Sequence, residues 1–308
     1  MLLSVDNRAG GNEGVVYGQA LDDLGFLRKA TVDMVGRIPT YADIQQFQQW
    51  PPAKRRSMLV DRLMDDKGYA DRWTVFFADM LRIRSRAEGG NRLLAHVHKS
   101  IESGKPWDTM AKELIAASGS ASKTPSVGFL LADDSEPMTM AGATAQIFMG
   151  VRLACAQCHN HPFERWTQDN YYGLAAVFTR VQRQPGARPD ELFISSKRTG
   201  EVTQPRTGQT MQPWLPGKGY VAVANDVDRR RVFADWLTRR DNRWFARVEA
   251  NRIWAAVMGR GIVEPADDLN LANPPSNEAL MDHLAKGFVA SGYDMKWVHR
   301  EIMNSDTY

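Results

Sequence analysis

The sequence predicts a mainly α-helical protein, two helical halves joined by a Gly/Pro-rich linker with a short β-hairpin. Two observations carry that prediction. Apolar residues recur at helical spacing on both sides of the middle of the chain. Between them, Gln182 to Gly219 is rich in Gly, Pro, Arg, Thr and Gln and breaks the period. A length of 308 residues with 43% hydrophobic content suits one large domain or two ordinary ones. The division expected is a first helical domain over 22–181, a linker with a small hairpin over 182–224 and a C-terminal helical domain over 225–308.

In chain order, the pattern predicts a helix over 22–35 ended by Gly36. Thr40, with Asp43 three residues later, predicts a capping box that opens the next helix, with Ile44 and Phe47 on its buried side. Trp73, Phe76, Phe77, Met80 and Leu81 fall at i, i+3, i+4, i+7 and i+8, which predicts a helix over 69–84. Core packing explains that aromatic stripe better than a cofactor wall. Helices are expected over 91–103, before Gly104, over 107–117, and over 138–154, the last running into a cysteine motif. Thr167 is the cap of a further helix, with Tyr171, Leu174, Ala175, Phe178 and Val181 on one apolar face. Leu192-Phe193-Ile194 and Glu201-Val202-Thr203, around Thr199-Gly200, are the strand candidates of the hairpin. Then Asp226 or Asp228 starts a helix holding Val232, Phe233, Trp236 and Leu237, and Asn242 caps the next, which Gly259 and Gly261 end. Ser276, after Asn273-Pro274-Pro275, is the expected cap of a last helix closed by Gly292. The run Arg229-Arg230-Arg231 reads as a solvated helix face.

Only two cysteines occur, and both fall in Cys155-Ala156-Gln157-Cys158-His159. This is the attachment signature of a c-type haem. Two thiols three positions apart can each form a thioether to a vinyl group of one porphyrin. His159, directly after the second thiol, then lies under the iron as proximal ligand. A second imidazole, His161, follows two residues on.

Other chemistries compete for the same residues. Cys155, Cys158, His159 and His161 are the right ligand types for zinc, although no hairpin or helix separates them as in a zinc finger. A thioredoxin-like redox pair would need a βαβ framework that the pattern does not offer. A zinc site could be structural, or could serve a metal-dependent hydrolase with Glu164 as the nearby carboxylate. A third possibility is a surface interaction scaffold without redox chemistry, in which the motif is structural.

Composition narrows the partners. The net charge is +3 and Lys and Arg are scattered among Asp and Glu, so no nucleic-acid footprint is present. No stretch approaches the eighteen uncharged apolar residues of a membrane span. The start, Met1 to Gly14, lacks the basic n-region of a signal peptide. Covalent haem attachment takes place outside the cytoplasm in bacteria, so the expectation is a fragment of a longer exported protein, periplasmic or at the cell surface, without its natural N-terminus. The final residues, which stop on a helical pattern, point to truncation there too. There is no G-x-S-x-G elbow and no phosphate-cradling loop, since Gly259 and Gly261 end a helix.

Longer strings carry a resemblance. Phe26-Leu27-Arg28-Lys29-Ala30-Thr31-Val32-Asp33 through Gly36-Arg37-Ile38-Pro39-Thr40, Tyr69-Ala70-Asp71-Arg72-Trp73, and Cys155 to Trp166 continued by Tyr171-Tyr172-Gly173 together resemble a domain of unknown function widespread in planctomycete genomes. It is often called the planctomycete cytochrome-like domain. Asn242-Arg243-Trp244-Phe245, Asn251-Arg252-Ile253-Trp254, Asn273-Pro274-Pro275-Ser276 and Ser291-Gly292-Tyr293-Asp294 resemble the partner domain that commonly follows it. The resemblance implies an exported, often multi-domain protein. Its cytochrome label rests on the same C-x-x-C-H, and it implies no catalytic activity.

The leading expectation is an electron-transfer module with one covalent haem c held by Cys155 and Cys158, His159 as proximal ligand, and an unknown redox partner. The sixth ligand is open. His161 lies too close in sequence to reach the far face of the same haem. Only one of His96 and His98 can point inward. Met138 or Met140 would give Met/His ligation and a higher potential. His283 and His299 read as helix-surface residues.

Overall fold

The computed structural model describes residues 20–162, 164–186, 188 and 191–308. The expectation of a missing signal peptide falls on residues outside that set. Among the described residues the chain forms thirteen α-helices with a few small antiparallel sheets in its middle. The predicted mainly helical class is therefore observed.

Local signals set the helix starts. Asp22 caps α1 (Asp23–Val35), its carboxylate accepting from the Gly25 N–H at 2.7 Å. Thr40 and Asp43 form the expected box at the start of α2 (Tyr41–Gln49). Asp43 also takes salt bridges from Arg37 and Arg62, both at 2.8 Å. Burial pushes its pKa up, but the Thr40 hydrogen bonds and Arg37 outweigh that and hold it well below the usual carboxylate range. Then come α3 (Arg55–Met64), α4 (Lys67–Met80), α5 (Gly90–Glu102) and α6 (Trp107–Ile115). In α4 the predicted stripe buries Trp73 and Phe77, and Leu81 just beyond it. The helix stops at Met80, short of 84, because Arg82 adopts φ 56° and turns the chain.

A short strand β1 (Gly119–Ser120) and α7 (Gly128–Leu131) lead to α8 (Pro137–Met149). Here the structure departs from the expected 138–154 helix. Gly150 takes φ 63°, and Val151 N–H reaches back to the Ala145 carbonyl at 3.1 Å, closing the helix five residues before Cys155. Val151 and Leu153 are buried beyond the end of α8, so apolar content continues where α-helical geometry does not.

Thr167 and Asn170 box the start of α9 (Gln168–Ala175). The expected hairpin is re-paired. Strands β2 (Val181–Pro185) and β3 (Leu192–Ser196) form it, and β1 adds to the other edge of β3. Val202 and Thr203, proposed as the partner of 192–194, instead form β4, which pairs with β5 (Thr210–Met211). A third ribbon joins β6 (Trp214–Leu215) to β7 (Gly219–Tyr220). Register explains the switch. Val181 to Pro185 offers five positions opposite β3, whereas β4 offers two.

Four helices follow: α10 (Arg229–Leu237), α11 (Phe245–Met258), α12 (Glu278–Ala290) and α13 (Met295–Met303). Asp228 caps α10, and the Asn242 side chain accepts from Trp244 and Phe245 N–H at the start of α11. The cap of α12 is Asn277, not Ser276, whose hydroxyl donates to the Ile262 carbonyl instead. The arginine run is a second correction. Arg229 and Arg230 are buried and only Arg231 faces solvent. Arg229 donates to both Glu201 oxygens at 2.9 Å, and Arg230 to the Ala117 carbonyl at 2.7 Å. Backbone carbonyls and a carboxylate replace the water these guanidiniums lose.

One hydrophobic cluster contains side chains from before and after the 182–224 segment. Its aromatic spine runs from Phe77 to Trp107 (5.2 Å between ring centres) and from Trp107 to Phe148 (5.7 Å). From Trp107 it also runs to Phe245 (6.1 Å, nearly parallel), and from there to Tyr293 (5.4 Å). Trp107 is fully buried at the crossing, and its backbone N–H donates to the Tyr293 carbonyl at 3.1 Å.

Candidate functional site

The cysteine motif lies in a 3₁₀ turn, Leu153–Gln157, between α8 and α9. Tight i→i+3 geometry stacks side chains three positions apart on one face. Leu153 and Ala156 point into the core, while Cys155 and Cys158 are exposed free thiols. His159 is exposed as well, and its Nδ1 lies 2.7 Å from the Asn160 carbonyl oxygen. A carbonyl only accepts, so Nδ1 carries the proton and Nε2 of the neutral ring carries the lone pair. The contact thus fixes both the tautomer and the tilt of the imidazole, which second-sphere partners of histidine ligands commonly do.

Several hydrogen bonds hold the turn shut. Asn160 Oδ1 accepts from the Gln168 N–H at 3.0 Å, and Gln168 Nε2 donates to the Gln157 carbonyl at 2.9 Å. The His161 N–H donates to the Trp166 carbonyl at 2.8 Å. Tyr171 donates its hydroxyl to the Met138 carbonyl at 2.9 Å, so the first turn of α8 is tied beside the motif. Burial first, then the negative charge of Glu136, pushes the Tyr171 phenol up to about 12.

The loop after α11 supports the motif from behind. Arg152 donates to Asp267 at 2.7 Å, Gln146 reaches the same carboxylate, and the Leu269 N–H donates to the Gly150 carbonyl at 2.7 Å. Burial would raise the Asp267 pKa, but Arg152 and Gln146 overcome it and hold it below the usual range. Past the motif, Glu164 accepts from the Leu271 N–H. Asn251 organises that loop from inside the core. It is fully buried, its Nδ2 donates to the carbonyls of Val263 and Ala266, and its Oδ1 accepts from the Val263 N–H. Its neighbour Arg252 donates to the carbonyls of Gln146 and Ile147 at the end of α8.

The other candidate ligands are placed as follows. His96 contacts Glu113 at 3.1 Å and His98 contacts Asp71 at 2.9 Å, so both are engaged with carboxylates of neighbouring helices. Met140 is buried and Met138 partly so. His283 pairs with Glu301 at the surface as expected. His299 does not lie at the surface. It is buried between Tyr69 and Trp73, with its ring centre 4.0 Å from that of Trp73. A polar residue on an amphipathic helix reads as solvated unless a buried acceptor is known, and here the Met295 carbonyl takes its Nδ1 at 2.8 Å.

Does this set of groups suit a haem? The attachment chemistry does: both thiols are free and open to solvent, and the His159 Nδ1 is turned to the Asn160 carbonyl, which leaves Nε2 as the ring nitrogen that could face an iron. The zinc alternative is not assembled. Among the described residues no group of three or more His, Cys, Asp or Glu side chains is gathered to hold a metal ion, so Cys155, Cys158, His159 and His161 do not converge.

Residues 7–183 match the PSCyt2 family, described as a protein of unknown function (DUF1549). The match spans more than half of the chain. The chain belongs to the PSCyt2 family. A PSD1 region, described likewise as a protein of unknown function (DUF1553), follows over residues 229–308. No curated protein and no solved structure matches the chain. PSCyt2 is a planctomycete cytochrome-like family of unknown function, as the sequence resemblance implied. Among the described residues no helix is long and apolar enough to cross a membrane. In this member, the PSD1-matched side chains Asn251 and Arg252 hold the backbone that supports the PSCyt2 cysteine turn. Sequence reasoning passed over both. Their strings were visible, but their partners lie more than a hundred residues away in the case of Arg252.

Proposed function

We propose that this chain is a c-type haem-binding electron-transfer module. Cys155 and Cys158 would carry the two thioethers, and His159 would bind the iron through Nε2. One observation supports this best: two free, exposed thiols precede an imidazole whose Nδ1 proton is already committed to the Asn160 carbonyl. When bound, the haem would supply a one-electron couple. The chain's own residues present the thiols and orient the imidazole. The Tyr171 hydroxyl ties the Met138 backbone beside the turn, and Met138 is the proposed source of a sixth ligand. Because bacterial haem c is attached outside the cytoplasm, the reading carries a periplasmic or cell-surface location with it.

The test is expression with an export signal and the haem c maturation machinery. Red protein is expected, with a Soret band that survives acid-acetone extraction. Cys155→Ala/Cys158→Ala should be colourless yet keep its far-UV circular dichroism, because both thiols are exposed and no core packing is removed. Colourless wild-type protein from material that matures a control cytochrome would refute the proposal.

A further inference from the structure

A concavity of about 500 Å³ opens beside the aromatic cluster that follows the cysteine turn. Its walls are the Pro216-Gly217-Lys218 turn between β6 and β7, the indole of Trp236, and the Asn242-Arg243-Trp244 corner that starts α11, with Arg165 at the rim. Trp166, next to Arg165, packs on Trp214 and Trp244 at 5.8 and 6.4 Å between ring centres. Gly217 has φ 74°, and a Cβ there would touch the Trp244 ring at 3.6 Å, so the turn lies directly on that indole.

The charge in this concavity is unbalanced. Arg239 is neutralised by Asp241, through two bonds of 2.8 and 2.9 Å. Arg165 and Arg243 are not. Each guanidinium lies over a tryptophan, Arg165 5.2 Å from Trp166 and Arg243 4.4 Å from Trp244, and among the described residues neither lies within ion-pairing distance of a carboxylate. Among the described residues Lys218 has no such partner either. Burial first, then the positive charges of Arg165 and Arg247, push Arg243 below the ordinary guanidinium value, against the smaller opposing pull of the Glu164 carboxylate. The start of the fourteen-residue helix α11 adds the positive end of its dipole. Cations held by indoles and crowded together, with no carboxylate in ion-pairing contact among the described residues, are stabilised by a bound anion. Guanidiniums favour tetrahedral oxyanions because their forked donors match two oxygens at once. Trp236 is partly exposed and offers a flat apolar face beside them.

We propose that this concavity binds a phosphate or sulfate ester carried on a ring, with Arg165, Arg243 and Lys218 taking the oxyanion and Trp236 stacking on the ring. The site is independent of the haem reading, since neither cysteine nor His159 lines it.

Calorimetric titration of the whole chain with glucose 6-phosphate, glucose 6-sulfate, inorganic phosphate and glucose tests it. Saturable binding of at least one ester is expected, weaker binding of inorganic phosphate, and none of glucose. The preferred ester identifies the oxyanion. Arg165→Gln/Arg243→Gln should weaken ester binding by about tenfold or more, as loss of charged hydrogen bonds does. Trp236→Ala should reduce the ester's advantage over inorganic phosphate. A charge-matched control at two exposed arginines elsewhere, Arg198→Gln/Arg231→Gln, should leave binding unchanged. Circular dichroism confirms that each variant is folded. No saturable ester binding, equal binding of inorganic phosphate, or an equal loss in the control variant would overturn the proposal.

Discussion

Arg152 donates to Asp267 at 2.7 Å and so ties the residue three positions before Cys155 to the loop after α11. The side chains are 44% and 28% exposed, so water screens the pair and its direct contribution to stability is about 1 kcal/mol or less. Its role is local. Asp267→Ala should raise amide hydrogen exchange over 150–158 while changing the urea midpoint little. The direction with pH follows from the lowered Asp267 pKa. The unfolded carboxyl takes up a proton at higher pH than the folded one. The pair's contribution is therefore complete above the unfolded pKa and is lost as pH falls through the folded one. Exchange rates equal to wild type in the variant would dissociate the loop from the motif.

Gly150 ends α8 at φ 63°, and a Cβ there would meet Leu269 Cδ1 at 2.7 Å and Val248 Cγ2 at 2.9 Å. Gly150→Ala should cost about 1–3 kcal/mol, from left-handed strain added to overpacking. Chemical denaturation measures it. A loss below about 0.5 kcal/mol, the range of an indifferent surface substitution, would show that α11 and its loop yield easily.

His299 is fully buried and burial lowers its pKa from 6.5 to about 3. The unfolded imidazole is protonated below pH 6.5 while the folded one stays neutral, so stability is full above that value and falls as pH drops toward 3. Between pH 7 and pH 5 the loss from this group is about 2 kcal/mol. His299→Phe keeps a ring against Trp73 and should show a smaller drop between those two pH values than wild type. Parallel pH profiles for both proteins would place a charged imidazole in the folded state.

Glu249 titrates the other way. It is completely buried in α11, neither carboxylate oxygen has a hydrogen-bond partner among the described residues, and burial raises its pKa to about 7 against the opposing charge of Arg252. The unfolded group ionises near 4.5, so stability is lost as pH rises from there to about 7. Glu249→Gln should gain on wild type by about 1–3 kcal/mol on moving from pH 5 to pH 8. A difference that does not change with pH would mean that the buried carboxyl is ionised throughout.

The box of Thr40 with Asp43, the Thr167 cap, and the α4 stripe of Trp73 and Phe77 are all legible in the sequence, because each joins residues within one or two helical turns. The cysteine turn was equally visible as a string. Its support was not, because Asp267, Leu269 and Leu271 reach it across more than a hundred residues. Apolar content also misled at 150–154. Val151 and Leu153 satisfy the helical pattern, yet Gly150 had already closed the helix. The hairpin failed for a similar reason, since strand pairing depends on available length and register and not on nearness in sequence.

Composition and spacing therefore fixed the helical class, most helix starts and the chemistry offered by Cys155, Cys158 and His159, all properties of neighbouring residues. Burial of Arg229, Arg230 and His299, the Arg152–Asp267 tie and the unbalanced cations beside Trp244 emerged only when distant elements packed. Whether a charged or polar side chain is solvated depends on the acceptors that other segments bring to it, and a linear string does not record those.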